Sequence, residues 1–309
     1  MIAKAIQIRN RIIRNLKLFK INNSRNKSLE LYKNILNTNK INIYDIGAGQ
    51  RILNELIFFD GISNIHLIDP NKNLEYSYNK LKKIFNNNQS IKKFFIGLSN
   101  KTQKINYYKN LSSTSSSFAV SKNKLKNLNT DFFLKPVKKE VFSFPDFIKK
   151  YNLPKPDIIK IDTEGFEIKI LNSILEKNSP LIIQVETNLN NDVLNETFLN
   201  TQNLLFKKKY NLYTILPHYG YYSFIKKKYI ATNKKVNLND LEFNINKTKT
   251  AQVECYFIKK RRYTIKDIIS LSAYGFNEVL EEIYYNKKFK TNTKLKKIIE
   301  RIFKVNKLY

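Results

Sequence analysis

Short apolar runs alternate with longer amphipathic stretches over much of this 309-residue sequence. The runs INIYDI, NIHLID, DIIKID and LIIQV have the length of strands, and turn residues or a proline bound each of them. Strict alternation of apolar and polar residues is missing from these runs, which is typical of strands buried on both faces of a parallel sheet. The sequence therefore predicts an open α/β sheet of about seven strands with helices on both faces.

The ends of the chain differ from its middle in charge. Residues 1–40 carry ten basic residues and one acidic residue, and residues 259–309 carry fourteen and five. The first 20 residues have the spacing of a basic amphipathic helix, which would either cap the domain or lie on a membrane surface. We expect a basic helical N-terminal extension over 1–40, an α/β domain over 41–260 and a helical C-terminal extension over 261–309.

The formal net charge of +31 has two explanations, an anionic partner such as nucleic acid or membrane, or the lysine-rich composition of an AT-rich genome. Only eight of the 56 basic residues are arginine. Proteins that read nucleic acid rely on arginine for bidentate contacts. We therefore expect no specific nucleic-acid partner, and peripheral membrane contact through the basic ends stays open.

The small number of cysteines and histidines excludes some kinds of structural and metal site. One cysteine and two histidines exclude a disulfide scaffold and a Cys/His zinc cluster. Arginines interrupt the first apolar stretch, which argues against a signal peptide. We expect a cytoplasmic protein, with or without membrane contact.

A glycine turn closes the first predicted strand with the pattern D-x-G-x-G. Glycines let the backbone turn tightly and approach a ligand. The dinucleotide pattern GxGxxG is absent because position 52 is isoleucine, and no P-loop lysine follows. An acid ahead of the glycines favours a ligand with a cationic part, such as S-adenosylmethionine, and an acid ending the second strand would accept ribose hydroxyls. The predicted cofactor residues are Asp45, Gly47, Ala48, Gly49 and Asp69.

Acidic residues follow the fourth predicted strand in the turn IDTEGFE. Asp162 is best placed to face the crevice at the carboxyl edge of the sheet, and Glu186 ends the next strand. Carboxylates in this arrangement could hold Mg²⁺ or act as a general base, so a divalent metal stays open. Glu164 and Glu167 follow in the same turn, where they either belong to this site or complement the start of the following helix. His218, in a predicted loop after the sixth strand, is the third candidate base.

Together these motifs resemble the FkbM family of methyltransferases over roughly residues 41–260. The resemblance is carried by YDIGAG, HLIDP, FIGLSNKTQKINYY and SSTSSS, and most specifically by KIDTEGFEIKIL followed by PLIIQVE. It implies a class I, Rossmann-like methyltransferase sheet and S-adenosyl-L-methionine as cofactor. The sequence departs from the family pattern at Gln50 and Arg51, where the loop lacks the family's second glycine, and at Asp69, where the family has glutamate.

Two functions follow from the motifs and the charge. The resemblance implies an O-methyltransferase that acts on a sugar, a glycan or another small-molecule hydroxyl, with Asp162, Glu186 or His218 removing the acceptor proton. The alternative is a nucleic-acid-binding protein or RNA methyltransferase that uses the basic surface and the many aromatic residues. Clustered carboxylates after the fourth strand favour the first function, because they repel a phosphate chain. A relative that keeps the fold without activity is a third interpretation.

Overall fold

The structure is a computed structural model that describes most of the chain between residues 26 and 306. The predictions made for the first 20 residues, for the serine-rich run and for Glu164 fall outside the described residues and stay predictions. The described ranges are 26–49, 54–85, 90–108, 136–163, 165–188, 197–218, 252–285 and 293–306.

Seven of the described strands form one sheet. In chain order the described strands are β1 Ile41–Ile46, β2 Ser63–Ile68, β3 Ile91–Phe94, β4 Gly97–Ser99, β5 Gln103–Tyr107, β6 Val137–Ser143, β7 Ile158–Ile161, β8 Ile182–Asn188, β9 Tyr210–His218 and β10 Gln252–Lys259. The large sheet has the order β3–β2–β1–β7–β8–β10–β9, and its pairs are parallel except those that β10 makes with β8 and β9. This is the class I, Rossmann-like methyltransferase arrangement, which confirms the predicted fold and the number of strands.

Helices cover both faces of this sheet, as the sequence predicts. In chain order the described helices are α1 over 26–36, α2 Leu74–Ile84, α3 Phe144–Tyr151, α4 Glu167–Lys177, α5 Phe198–Lys207, α6 Ile265–Tyr274, α7 Asn277–Tyr285 and α8 Thr293–Asn306. The sequence also predicts a helix over 50–60, and in the described part of that range the structure has a 3-10 helix over Asn54–Phe59. None of the helices in the described ranges combines the length and the apolarity that a membrane span requires.

The large sheet separates two hydrophobic cores, one on each of its faces. Alternate residues of each strand point to opposite sides, so Ile43 packs in one core and its neighbour Tyr44 in the other. We call the side covered by α1, α2, α6, α7 and α8 the first face, and the side covered by α3, α4 and α5 the second face. The C-terminal helices therefore share one core with the sheet instead of standing apart from it.

The apolar run at 91–99 predicts one strand, but in the structure it forms two. The apolar run at 91–99 leaves the large sheet after Phe94, and Gly97–Ser99 pairs instead with β6, which also pairs with β5. The break falls at Phe95, whose side chain is exposed. An apolar run predicts a strand, but it does not say which sheet the strand joins, since pairing depends on distant residues.

The sequence predicts helix starts at Ser143 and at the Thr264–Asp267 pair, and the structure confirms both. Ser143 Oγ accepts from the backbone N–H of Asp146 at 3.2 Å. Thr264 and Asp267 form a reciprocal capping box, with N–H to side-chain distances of 3.2 and 2.8 Å. The C-terminal helical stretch ends its first helix at Gly275, whose φ of 90° is in the left-handed region. The stretch consequently folds as separate helices and not as one.

Candidate active site at the carboxyl edge of the sheet

The glycine turn after β1 lies against the end of β7. Gly47 has a φ of 79°, and its backbone N–H donates to the carbonyl of Ile68 at 2.8 Å. A Cβ at Gly47 would lie 1.7 Å from the carbonyl oxygen of Asp162, closer than any side chain tolerates. Glycine is therefore required here twice, for backbone conformation and for space. The structure places the predicted cofactor residues Gly47, Ala48 and Gly49 at this edge, and their binding role stays a prediction.

Asp69 connects the end of β2 to the glycine turn. Its Oδ2 accepts from the Gly49 N–H at 3.0 Å, and its Oδ1 accepts from the Asn71 N–H at 2.7 Å. Burial raises the pKa of Asp69 above its usual range, and these two backbone hydrogen bonds act in the opposite direction. Each carboxylate oxygen has a second lone pair, so a fixed Asp69 retains the capacity to accept from ligand hydroxyls.

One buried lysine lies between two carboxylates. Lys160 Nζ is 3.4 Å from Asp45 Oδ1 and 3.2 Å from Asp162 Oδ2. The side chains of Asp45 and Lys160 are 2% and 7% exposed, and the two residues pair in register on β1 and β7. At 3.4 Å the first contact is an ion pair, and Asp45 Oδ1 makes no well-formed hydrogen bond with the described residues.

Burial and neighbouring charges set the protonation of this cluster. Burial raises the pKa of Asp45, the Lys160 charge opposes that shift, and the charge of Asp162 adds to it. For Lys160, burial acts to lower the pKa, but the charges of Asp162 and Asp45 outweigh it and the net direction is upward. The lysine is therefore held as a cation, while burial makes the negative charge of Asp45 unfavourable.

Further carboxylates extend the cluster across the sheet. Glu186 on β8 pairs in register with Glu254 on β10, and the Gln184 side-chain amide donates to Glu254 Oε1. The Glu186 charge contributes to the raised pKa of Lys160, and the Glu254 charge contributes to that of Asp45. We call Asp45, Asp162, Glu186 and Glu254 the acidic row. Glu254 was not predicted, because its place depends on how an antiparallel strand pairs.

Glu167 shapes the turn that carries Asp162. Its Oε1 accepts from the backbone N–H and the hydroxyl of Thr163 at 2.8 and 3.0 Å, and its Oε2 accepts from the Gly165 N–H at 2.9 Å. Glu167 is the first residue of α4, where a negative charge complements the helix dipole. The interpretation of Glu167 as a structural residue at the helix start agrees with these contacts.

His218 lies further from the acidic row than the other candidate bases. The sequence predicts a loop at His218, but the residue is the last one of β9. Its backbone pairs with that of Gln252 on β10, and Gln252 in turn pairs with Asn188 at the end of β8. His218 is thus at the same edge, two strands away from β8, and its side chain is outside what the structure describes.

The described part of the chain contains no set of side chains that could bind a metal ion. Within those residues, no group of three or more histidine, cysteine, aspartate or glutamate side chains has the geometry to hold a metal ion. A cationic organic ligand fits the site better. It would supply a hydrogen-bond partner to Asp45 Oδ1, and the glycine turn, in which Gly49 is half-buried, lies beside Asp69. S-adenosylmethionine has such a cationic centre and a ribose, so the residues fit the cofactor that the resemblance implies.

Comparison with known proteins gives a family match over much of the chain. The family model described as "Methyltransferase FkbM domain" matches residues 45–221. A search of curated proteins gave no match.

Several solved structures are similar. The methyltransferase FkbM from Methylobacillus flagellatus KT is 17% identical, with a TM-score of 0.36, and the match covers 56% of this chain and 39% of that one. The precorrin-6y C5,15-methyltransferase from Geobacter metallireducens GS-15 is 12% identical, with a TM-score of 0.36 and coverage of 76% and 86%. TrmK of M. capricolum, solved with S-adenosyl-homocysteine, is 12% identical, with a TM-score of 0.34 and coverage of 89% and 95%.

Proposed function

The chain belongs to the FkbM methyltransferase family, and we propose that it transfers the methyl group of S-adenosylmethionine to a hydroxyl of a sugar, a glycan or another small molecule. The observation that carries this proposal is the acidic row at the carboxyl edge, next to the glycine turn. A cationic cofactor is attracted to this charge, whereas a phosphate-rich acceptor is repelled by it.

The chain's own residues divide into those for the cofactor and those for the acceptor. Asp69 is held by Gly49 and Asn71 in a position to accept ribose hydroxyls. Asp45 lies deeper and supplies negative charge for the cationic part of the cofactor. Bound S-adenosylmethionine supplies a methyl group activated by the sulfonium.

Asp162 is our candidate for the general base. Its side chain is 27% exposed, compared with 2% for Asp45, so an acceptor can reach it. Lys160 holds its Oδ2 at 3.2 Å, which orients the carboxylate toward the edge of the sheet. Removal of the acceptor proton by a positioned carboxylate makes the hydroxyl oxygen a better nucleophile. Glu186 on the next strand is the second candidate and His218 the third.

RNA is a less suitable acceptor for this edge. Among the described residues the acidic row places Asp45 and Asp162 at one buried lysine, with Glu186 and Glu254 at paired positions of β8 and β10. Phosphate groups that approach an excess of negative charge lose the electrostatic attraction on which nucleic-acid binding depends. The basic residues that give the chain its net charge are therefore not a reason to place a phosphate backbone at this site.

Titration with S-adenosylmethionine in a calorimeter tests the proposal, with Asp69→Ala as the variant. We expect the unmutated chain to bind, and Asp69→Ala to weaken binding by about 10–150-fold, since a charge-assisted hydrogen bond contributes roughly 1.5–3 kcal/mol. Asp146→Ala is the control, because Asp146 is an exposed carboxylate at the start of α3. It should leave the affinity unchanged.

Three results would contradict the proposal. No binding to the unmutated chain would overturn the methyltransferase activity. Unchanged affinity in an Asp69→Ala variant that still melts cooperatively would overturn the ribose contact. Labelled methyl groups that pass from the cofactor into RNA, and not into a glycan or small-molecule fraction, would overturn the class of acceptor.

A further inference from the structure

The last residue of α6 contacts the acidic row through a glutamine. The Tyr274 hydroxyl donates to Gln184 Oε1, and Gln184 Nε2 donates to Glu254 Oε1. Tyr274 and Gln184 are 6% and 1% exposed. A buried chain of hydrogen bonds therefore runs from the C-terminal helices to the candidate active site.

Chemistry decides which group donates in each of these two hydrogen bonds. A carboxylate only accepts hydrogen bonds, so the NH₂ group of Gln184 has to face Glu254. The carbonyl oxygen of Gln184 then faces Tyr274, whose hydroxyl has to donate. Each group fixes the orientation of the next, and loss of the tyrosine hydroxyl frees the amide to turn.

The ring of Tyr274 is held independently of its hydroxyl. It packs against Phe276, Phe59 and Tyr256, with centroid distances of 5.4, 6.0 and 6.1 Å. Phe59 ends the 3-10 helix that follows the glycine turn. Because these contacts belong to the aromatic ring, replacing tyrosine by phenylalanine keeps the packing and removes the hydrogen bond alone.

Gln184 also lies beside the buried lysine. Lys160 on β7 pairs in register with Gln184 on β8, just as it pairs with Asp45 on β1. Side chains at paired positions of a sheet point to the same face, here the first face, on which α6 packs. The end of α6 thus covers the first face where the acidic row lies.

We propose that Tyr274 is a positioning residue of the candidate active site, which fixes Glu254 in the acidic row through Gln184 and prepares the row for a cationic cofactor. This inference rests on the proposed function. It extends the site to α6, which lies beyond the residues 45–221 that the family model matches. The C-terminal helices are then a part of the site and not only a cover for the core.

A second buried tyrosine hydroxyl, which forms a hydrogen bond with α6, provides the matched control. Tyr32 on α1 shares a hydrogen bond of 2.7 Å with Ser272, two residues before Tyr274. Tyr32→Phe therefore removes one buried hydrogen bond to the same helix without touching Gln184 or Glu254. A structural role alone predicts the same consequences for both variants.

The test compares Tyr274→Phe with Tyr32→Phe by calorimetric titration with S-adenosylmethionine and by thermal melting. We expect similar small decreases in melting temperature. Only Tyr274→Phe should weaken cofactor binding, by about 3–10-fold, the range of one neutral hydrogen bond. Equal cofactor affinities in the two variants would overturn the positioning role while leaving the proposed function intact. An unmutated chain that does not bind the cofactor would overturn both.

Glu254→Gln completes the test as a double-mutant cycle. If Tyr274 acts through Glu254, adding Tyr274→Phe to Glu254→Gln should change the cofactor affinity by less than twofold, about 0.4 kcal/mol. Additive losses would overturn the proposed route. Should Tyr274→Phe fail to fold, Glu254→Gln alone decides, because the inference requires it to weaken binding, and an unchanged affinity contradicts it.

Discussion

Ion pairs occur at both edges of the large sheet, but they differ in how completely they are partnered. At the amino edge Asp157 lies 2.6 Å from Lys266, and its Oδ2 also accepts from the backbone N–H of Asn42. At the carboxyl edge Lys160 is shared between Asp45 and Asp162 at longer distances. The first arrangement gives one cation to one acid, whereas the second gives one cation to an excess of acids.

The difference separates a structural edge from a ligand-binding edge. Nearby on the amino side, Asp267 accepts a hydrogen bond from Thr264 in the capping box and forms an ion pair with Arg261. Asp45 on the carboxyl side is more deeply buried, yet its Oδ1 has no hydrogen-bond donor in the described ranges. Buried polar atoms without hydrogen bonds cost stability, and folds keep them where a ligand supplies the hydrogen bond. The comparison supports placing the cofactor at the carboxyl edge.

Removing the cation at each edge gives the largest expected difference in unfolding free energy between the two edges. Lys160→Met leaves Asp45 and Asp162 close together without a counter-charge, and we expect a loss of about 3–5 kcal/mol in unfolding free energy. Lys266→Met should cost about 1 kcal/mol or less, because that pair is nearer to solvent and Asp157 keeps its backbone donor. Urea unfolding at pH 7 measures both. Equal losses would break the distinction between the two edges.

A glycine substitution sharpens the comparison by testing how tightly the carboxyl edge is packed. Gly47→Ala forces a Cβ into the Asp162 carbonyl, and we expect it to lower the unfolding free energy by about 2–4 kcal/mol. Gly275→Ala is the control, since φ is also positive there but no described atom lies within 4 Å of the new Cβ. It should cost about 1 kcal/mol. Similar losses in urea unfolding would mean that backbone conformation, and not crowding, explains the requirement at Gly47.

The smallest expected effect is a pH dependence that belongs to Asp45. Its pKa is raised in the folded chain, chiefly by burial, so the stability it contributes is fully present below the unfolded pKa of about 3.9 and is lost as the pH rises through the folded pKa. The unmutated chain should therefore gain stability relative to Asp45→Asn as the pH falls from 7. Urea unfolding of both proteins over this range measures the difference.

Asp146→Asn is the control of opposite sign. Hydrogen bonds from Thr102 and Ser143 lower the pKa of Asp146, so its contribution is present above the unfolded pKa and lost as the pH falls. Relative to this variant, the unmutated chain should lose stability on acidification. The same sign for both aspartates would contradict the assignment of a buried, under-partnered carboxylate to the carboxyl edge.

Features that depend on neighbouring residues in the sequence were predicted correctly. The glycine turn, the Ser143 cap and the Thr264–Asp267 capping box each involve residues within a few positions of one another. Strand ends in a parallel sheet all meet at one edge, so Asp69 and Asp162 could be placed there from the pattern alone.

Features that depend on pairing across the sheet were not predicted. Glu254 joins the acidic row because β10 runs antiparallel to β8, a register that no local pattern encodes. Tyr274 reaches Gln184 because α6 folds back over the first face, 90 residues further along the chain. His218 extends β9 instead of a loop, since its backbone pairs with β10. Their common cause is contact between distant segments.

The position of β10 has a consequence for how the protein is made. In the large sheet β9 touches β10 and not β8, although β9 comes first in the sequence. On the ribosome β9 leaves the exit tunnel before the strand that connects it to the sheet, and it has no partner until β10 follows. The helix that carries Tyr274 emerges later still. The edge of β8 therefore stays open until β10 has emerged, and the candidate active site acquires its last wall only when α6 has been translated.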